Sequence, residues 1–253
     1  MNGSSGTLCV RTCLRGGKTV LDDCFFTPPY KVAHPFPESG GGIRVMVMSA
    51  SAGTLEGDRY AETFSVGEGS HLTVTGQSYT KLFKMGQGHA ERRTRMTIER
   101  DAVLRYLPPP VLPFGGSRYR AETVVDVQQG GSLIYRDILS CGRAGMGEVF
   151  RFAEYRAALT IYYAGRPVLR ERMRLCPAEQ PLSAIGYYEG YTHQATLFFL
   201  GGTVPSAERL CTMLESVADA AAGVTETLEG GRLVRILGRS AGQLEQLCDA
   251  LMS

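Results

Sequence analysis

The sequence predicts a mainly β fold of stacked or helical β-sheet layers, similar to a β-solenoid, with two helices near the C-terminus. Three observations predict this class. The 31 glycines and 12 prolines form a larger share than is usual, which is typical of a chain with many turns. Short apolar segments recur from residue 8 to about residue 203. A weak repeat with a spacing of 31 residues runs through these segments.

Several segments of this β region are predicted as strands, because apolar residues alternate or form short runs between turns. In order they are Ile43–Met48, His71–Thr75, Thr94–Ile98, Val124–Val127, Leu133–Leu139, Leu159–Tyr163 and Val168–Leu175. Before residue 205 no segment has a helical period longer than three turns. The body of the protein is therefore expected to consist of strands.

The repeat is carried by Ser70, Asp101 and Ser132, each of which ends a small polar turn between two short apolar segments. The position 31 residues before Ser70 is Ser39, which precedes another predicted strand. The position 31 residues after Ser132 lies in the turn at 162–167. Strand–turn–strand units of this length are typical of stacked β layers. Ordinary hairpins at coincident spacing are the alternative.

The C-terminal part of the chain has a different pattern, β-α-β-β-α. Its predicted elements are a buried strand at Ala195–Leu200, a helix over Ala207–Ala221 that begins after Ser206, a hairpin of Val224–Leu228 with Leu233–Leu237, and a last helix from the cap Ser240 to Leu251. No linker or change in composition separates this tail, about 195–253, from the β body, about 8–203. We therefore expect a single domain over residues 1–253, with the tail packed on the body.

Charge and composition exclude several classes of protein. Lys and Arg (27) nearly balance Asp and Glu (25), which argues against a nucleic-acid binder. No stretch approaches the ~18 apolar residues of a membrane span, and residues 1–6 do not resemble a secretory signal. The seven cysteines are scattered without a CxxC motif, which favours reduced thiols. A cytoplasmic protein is expected.

The common catalytic motifs are missing. The sequence has no P-loop, no GxSxG, no HExxH and no Cys/His pair at zinc spacing, and its four histidines are isolated. The glycine-rich segment 142–147 lacks the Lys-Ser/Thr of a phosphate-binding loop, so we interpret it as a tight turn. These observations favour a protein that is not an enzyme.

Three carboxylates lie in or beside apolar segments: Asp58 in a turn, and Asp137 and Glu171 within predicted strands. A buried carboxylate is costly unless it is paired, hydrogen-bonded or bound to a cation. One interpretation is a structural ion pair with an arginine from another strand. The other is a polar site or path for a divalent cation. In the second case the three residues are candidate metal-contacting residues.

Six segments together resemble the UreD family of urease accessory proteins, also called UreH. They are Phe25–Lys31, Ser51–Asp58, Thr75–Lys81, Leu104–Phe114, Gly142–Phe150 and Gly190–His193. Their order and spacing cover nearly the whole chain. None is diagnostic alone, but six in register are typical of the family.

The resemblance implies a protein without catalytic activity that acts with UreF and UreG on apo-urease and helps to insert nickel. It implies no tightly bound cofactor, transient contact with nickel at most, and a mainly β fold with C-terminal helices. The apolar content of 43% against 21% charged residues, together with this role in complexes, predicts that the isolated chain self-associates until UreF covers an apolar patch. Residues 25–30 are candidates for that patch, with core packing as the alternative.

Two other classes remain open from the sequence. A β-solenoid hydrolase or carbohydrate-binding protein would need a catalytic pair or a sugar-binding cleft that no motif indicates. A purely structural β scaffold would have no contact with metal at all.

Overall fold

The computed structural model describes residues 3–202 and 204–253. In chain order its strands are β1 (Ser5–Arg15), β2 (Lys18–Phe26), β3 (Tyr30–Val32), β4 (Phe36–Pro37), β5 (Ile43–Ser49), β6 (Arg59–Val66), β7 (His71–Gly76), β8 (Thr80–Leu82), β9 (Ala90–Ile98), β10 (Val103–Leu107), β11 (Val111–Pro113), β12 (Arg118–Val127), β13 (Ser132–Ser140), β14 (Glu154–Tyr163), β15 (Arg166–Leu175), β16 (His193–Leu200), β17 (Ala221–Glu226) and β18 (Arg232–Gly238). The helices are α1 (Ala207–Glu215) and α2 (Ala241–Leu251). Neither of these helices is long and apolar enough to cross a bilayer.

Within the described residues the strands form two sheets that face each other. The first sheet has the order β15-β14-β12-β9-β6-β1-β2, and the second has the order β17-β18-β16-β13-β10-β7-β5-β3. Strands β4, β8 and β11 attach to the second sheet outside this path. The mainly β prediction is confirmed, and all the predicted strands of the body are present.

Parallel ladders show that the body is a solenoid of about four turns. Residues at the same position of successive solenoid turns pair with each other in register. Examples are Phe64, Met96, Val125 and Ile161 in the first sheet, and Leu72, Leu104 and Leu133 in the second. The predicted repeat is confirmed, because Ser70 and Asp101 lie in equivalent turns before β7 and β10, Ser132 begins β13, and Ser39 lies in the turn before β5.

The forward extrapolation of the repeat falls on a turn of a different kind. The turn at 162–167 does not lead to another layer but joins β14 and β15 as an antiparallel hairpin in the first sheet. Ala164 and Gly165 form this two-residue connection with φ of 47° and 78°. Two consecutive residues with positive φ suit a tight hairpin, which reverses the chain within one sheet. The extrapolated turn is therefore present, but it joins two strands of one sheet and no further layer follows it.

The main core lies between the sheets, where inward residues such as Leu8, Phe64, Met96, Leu104 and Phe198 are nearly inaccessible to solvent. A further apolar cluster lies on the outer face of the second sheet, beneath α1 and α2. The helices thus cover only one face of one sheet. Burial of this apolar area, at roughly 25 cal/mol per Å², is the main stabilising contribution.

The tail is built into the second sheet, since β16 pairs with β13 on one side and β18 on the other. Ser206 and Ser240 cap the two helices by accepting hydrogen bonds from the amides of Arg209 and Gln243. Each such cap is worth about 1 kcal/mol.

The first helix is shorter than the predicted Ala207–Ala221, because the chain turns at Asp219, where φ is 57°, and Ala221 already pairs with Leu237 in the β17–β18 hairpin. The remaining tail elements are present, but the first strand of the hairpin runs over Ala221–Glu226 and not over the predicted Val224–Leu228, since Leu228 lies in the turn. The predicted boundary at residue 203, and the first two residues of the chain, lie outside the described residues.

Candidate functional site

Charged side chains interrupt the apolar interior between the sheets, and four of them, among the described residues, form the candidate site. Glu62 on β6 and Arg92 on β9 belong to the first sheet, and β15 of the same sheet carries Glu171. Asp137 projects from β13 in the second sheet. Strand alternation puts these residues on the same faces as the core residues of their strands, so the backbone directs all four inward.

Glu62 is satisfied entirely by hydroxyl groups. Its Oε1 accepts a hydrogen bond of 2.8 Å from the Tyr30 hydroxyl, and its Oε2 accepts bonds from Thr94 Oγ1 at 2.9 Å and the Tyr106 hydroxyl at 3.2 Å. Burial, followed by the nearby Glu62 charge, raises the pKa of Tyr30 and of Tyr106, so both phenols keep their protons. The cluster holds a carboxylate inside the protein without an ion pair.

A first cavity of about 220 Å³ adjoins this cluster. Glu62, Arg92, Tyr60 and the exposed residues Tyr79 and Lys81 are among the residues that line it. Because Tyr79 and Lys81 lie at the surface, the cavity connects the exterior with the polar interior.

A second, smaller cavity of about 30 Å³ lies further along the interior. Arg92 lines both cavities, and the second is also lined by Asp137, Glu171 and Thr196. Its volume accommodates a water molecule but not an organic substrate. Glu171 and Thr196 in turn line an open groove of about 820 Å³, the edge groove, beside β15. A row of polar groups therefore extends from one surface, past Arg92, to the opposite opening.

The electrostatics of this row are unusual for a protein interior. Burial raises the pKa of Asp137 above its ordinary value, and the positive charge of Arg92 only partly opposes this. Asp137 is enclosed within the protein, yet part of its surface is accessible because it faces the second cavity. Burial alone would lower the pKa of Arg92, but Tyr119 and Glu62 raise it, so Arg92 stays charged.

Glu171 lies where the second cavity meets the edge groove. Burial raises its pKa, Arg235 lowers it through an ion pair of 2.9 Å, and the charge of Asp137 raises it further. Arg235 reaches across from β18 in the second sheet, and its side chain is 59% exposed. The ion pair that the sequence suggested as an alternative thus exists for Glu171, at the solvent end of the row.

Asp58 lies apart from the other two predicted metal-contacting residues. It is buried, and its carboxylate accepts hydrogen bonds of 2.8 Å from the amides of Ser4 and Leu55 and from the Tyr60 hydroxyl. It fixes the turn that precedes β6 and orients Tyr60, which lines the first cavity. The structure brings together Asp137 and Glu171 but not Asp58, whose contact with metal stays a prediction.

Sequence reasoning missed Glu62 and Arg92. Both occupy inward positions of their strands: Glu62 is two residues before Phe64, and Arg92 is four residues before Met96. A charged residue in phase with core residues is the signal that would have found them.

The donor set does not form a tight metal site. Within residues 3–202 and 204–253, no three His, Cys, Asp or Glu side chains are grouped closely enough to hold an ion. Asp137 and Glu171 offer oxygen ligands only, whereas imidazole and thiolate are the ligands that hold Ni²⁺ well. The fixed charge of Arg92 also opposes a bound cation. Such a row suits brief contact with a cation rather than stable binding.

Comparison with known proteins identifies the family. The family model described as UreD urease accessory protein matches residues 4–253. The chain is 39% identical to a urease accessory protein UreD of Acetivibrio thermocellus over 97% of this chain and 95% of the relative. It is 30% identical to UreD of Flavobacterium johnsoniae, over 90% and 84%, and 30% identical to UreH of Helicobacter hepaticus, over 91% and 90%. The chain therefore belongs to the UreD family of urease accessory proteins.

Proposed function

We propose that this chain is a urease maturation factor of the cytoplasm, a non-catalytic scaffold that joins UreF and UreG to apo-urease and assists nickel insertion. The row of polar residues between the two sheets is proposed as a path for Ni²⁺. A single observation carries this proposal. In a chain of the UreD family, Arg92 lines both the first and the second cavity, and Glu171 lines both the second cavity and the edge groove.

The chemistry of the row supports transfer rather than storage. A cation beside Asp137 and Glu171 gains two carboxylate contacts, but burial raises the pKa of each group, so a proton competes with the cation more strongly than at an exposed carboxylate. Protonation of either group weakens its hold on the metal. A carrier needs such weak holding, because a deep trap would stop the ion.

The interior dimensions argue against the hydrolase or carbohydrate-binding alternative at this site. The second cavity, which contains the pair of carboxyl groups, has a volume of about 30 Å³. Ligand pockets usually have volumes of about 300–1,000 Å³. A sugar ring therefore cannot reach the two carboxyl groups together.

The test uses Asp137→Asn and Glu171→Gln, which keep shape but remove charge, with Glu122→Gln on the exposed face of β12 as a matched control. Each variant is expressed with UreF, UreG and apo-urease, and the nickel content of urease, complex formation and melting temperature (Tm) are measured. We expect lower nickel content with intact complexes for the two interior variants, and normal loading for the control.

Full nickel loading in both interior variants would remove the path and leave the scaffold role. Failure of the wild-type chain to associate with UreF or apo-urease would contradict the scaffold role itself. A purely structural β scaffold predicts a lower Tm without any separate effect on nickel.

A further inference from the structure

We propose that the free edge of β15 is a docking site for an extended acidic segment of a partner protein, which adds to the first sheet as an extra strand. This goes beyond the proposed function, because it specifies the chemistry and conformation of a partner segment. The groove, the open edge and the arginines of β15 carry the inference.

The edge of β15 is long and unpaired. β15 runs over Arg166–Leu175, pairs with β14 on one side and ends the first sheet on the other. An open strand edge presents unpaired amides and carbonyls, and proteins normally shorten, twist or cover such edges. Pro167 and a register shift interrupt the start of this strand, so the regular part of the edge runs from Leu169 to Leu175.

The second sheet extends beyond this edge. Strands β18 and β17 follow β16 in the second sheet, while the first sheet stops at β15. The space above them is the edge groove, about 820 Å³, which is lined by β15 and by parts of β16, β17 and β18. One more strand beside β15 would occupy this space.

The floor of the groove leaves room for side chains. Ala221 and Gly223 of β17 pair with Leu237 and Arg235 of β18, so these four residues share one face of the second sheet. The opposite face of the same strands packs against the helices through Val234 and Ile236. This part of the groove face is thus formed by small, apolar and guanidinium groups, and the side chains of Glu171 and Glu189 also line the groove.

The charge at the edge favours an acidic segment. Arg170, Arg172 and Arg174 alternate along β15, so they point to one face of the first sheet. Arg174 is paired with Glu154 and Glu179, whereas Arg170 and Arg172 have no carboxylate within 4.0 Å in the described part of the chain. Opposite charges directly across two strands stabilise pairing, and arginine binds carboxylates in a bidentate manner.

These features define the pattern of the segment. Residues opposite Arg170 and Arg172 should be acidic, and the alternate residues, which face the groove floor, should be small or apolar. The expected ligand is an extended segment with carboxylates at every second position, bound by strand addition.

The experiment measures binding of a fluorescein-labelled ten-residue peptide, in which Glu and Val alternate, to the intact protein. Fluorescence anisotropy measures binding, and hydrogen exchange measures protection of the β15 amides. Two control peptides are used: one with five Glu followed by five Val, and one N-methylated on alternate amides. We expect binding of the alternating peptide, protection of β15, and about tenfold weaker binding of both controls.

Arg170→Glu/Arg172→Glu is the test variant, and Arg95→Glu/Arg120→Glu, exposed on the same sheet face but away from the edge, is the matched control. The test variant should bind the Glu–Val peptide about tenfold more weakly than the control variant does, and should gain binding of the corresponding Lys–Val peptide. Equal affinities of the two variants would overturn the proposal. So would protection of β15 that rises with protein concentration without peptide, because a second copy would then occupy the edge.

Discussion

The ionised Asp137 carboxylate destabilises the folded protein. Burial raises the pKa of this group, and the positive charge of Arg92 offsets that rise only in part. Between its ordinary and its raised pKa, the folded state binds more protons at this group than the unfolded state does. Its contribution to the free energy of unfolding therefore falls as the pH rises through that window, and the full penalty is present above the raised pKa. Glu171, which also has a raised pKa, contributes with the same sign.

Asp137→Asn should therefore have a higher Tm than the wild type above the raised pKa. The difference should be on the scale of the ~2–4 °C that about 1 kcal/mol produces in a chain of this size. It should shrink as the pH falls through the raised pKa, because the carboxyl group then takes up a proton in the folded state. Thermal unfolding of both proteins at several pH values measures this. A lower Tm at every pH would mean that Asp137 is held by a structural ion pair.

Asp58→Asn should have the opposite effect. Its two oxygens accept hydrogen bonds from the amides of Ser4 and Leu55 and from the Tyr60 hydroxyl. In the variant the side-chain nitrogen, itself a donor, would replace one of these acceptors. Leaving a buried donor unsatisfied costs about 1–3 kcal/mol. Urea unfolding should show a lower free energy of unfolding by this amount. An unchanged midpoint would show that the turn before β6 does not depend on the carboxylate.

At this scale the sequence shows which acids lie in apolar segments, but not what surrounds them. Asp137 and Glu171 are far apart in the chain and meet only because β13 and β15 lie in facing sheets. Arg235, the partner of Glu171, comes from the last hairpin of the tail. Such cross-layer partners depend on how the layers stack, which no local pattern encodes.

Strand β2 forms the other end of the first sheet, and it carries Phe25 and Phe26, which are 54% and 40% exposed. Tyr30, the last residue of the predicted apolar patch, is buried instead and bonds to Glu62. The patch is thus divided: its phenylalanines face solvent and its tyrosine belongs to the core. Exposed aromatic residues on an edge strand promote association.

Phe25→Ser/Phe26→Ser should reduce the self-association expected of the isolated chain. The same variant should bind UreF more weakly, if this patch is what UreF covers. Size-exclusion chromatography with light scattering, with and without UreF, measures both effects. Leu14→Ser, at another exposed apolar residue, is the control. Unchanged association of the double variant would place the apolar contact elsewhere on the protein.

Elements were predicted best where the pattern is local. Strand β13 and helix α2 follow directly from apolar alternation and from the cap at Ser240. Helix α1 was predicted too long, because the alanines at 218, 220 and 221 favour a helix, whereas Ala221 is required as a strand residue opposite Leu237. Pairing with β18 prevails over the intrinsic preference of these residues.

For the whole molecule, we expect no turnover of GTP or urea by the isolated chain. The sequence has no phosphate-binding loop, and the carboxyl pair of the interior lies in a cavity of about 30 Å³. Phosphate release and ammonia release, measured on repeatedly purified protein, should stay at the level of a buffer blank. Activity that survives repurification and disappears in a point variant of this chain would overturn the expectation.

The layered part of the architecture is indicated in the sequence by the spacing of its turns, together with the short apolar segments between them. Ser70, Asp101 and Ser132 mark the turns because each solenoid layer uses nearly the same length of chain. The end of the solenoid could not be predicted, because a turn between layers and a hairpin turn both consist of small polar residues. In the structure the hairpin turn has paired positive φ values at Ala164 and Gly165.

The position of β16 has a consequence for biosynthesis. This strand lies inside the second sheet, yet it is made after the entire solenoid. While the ribosome is still translating the segment before residue 193, β13 has an uncovered edge, and Ile138 on its outer face lacks the later strands and helices of its cluster. The nascent chain therefore passes through an interval in which the larger of its two sheets is incomplete, until the strands that follow residue 193 have been made.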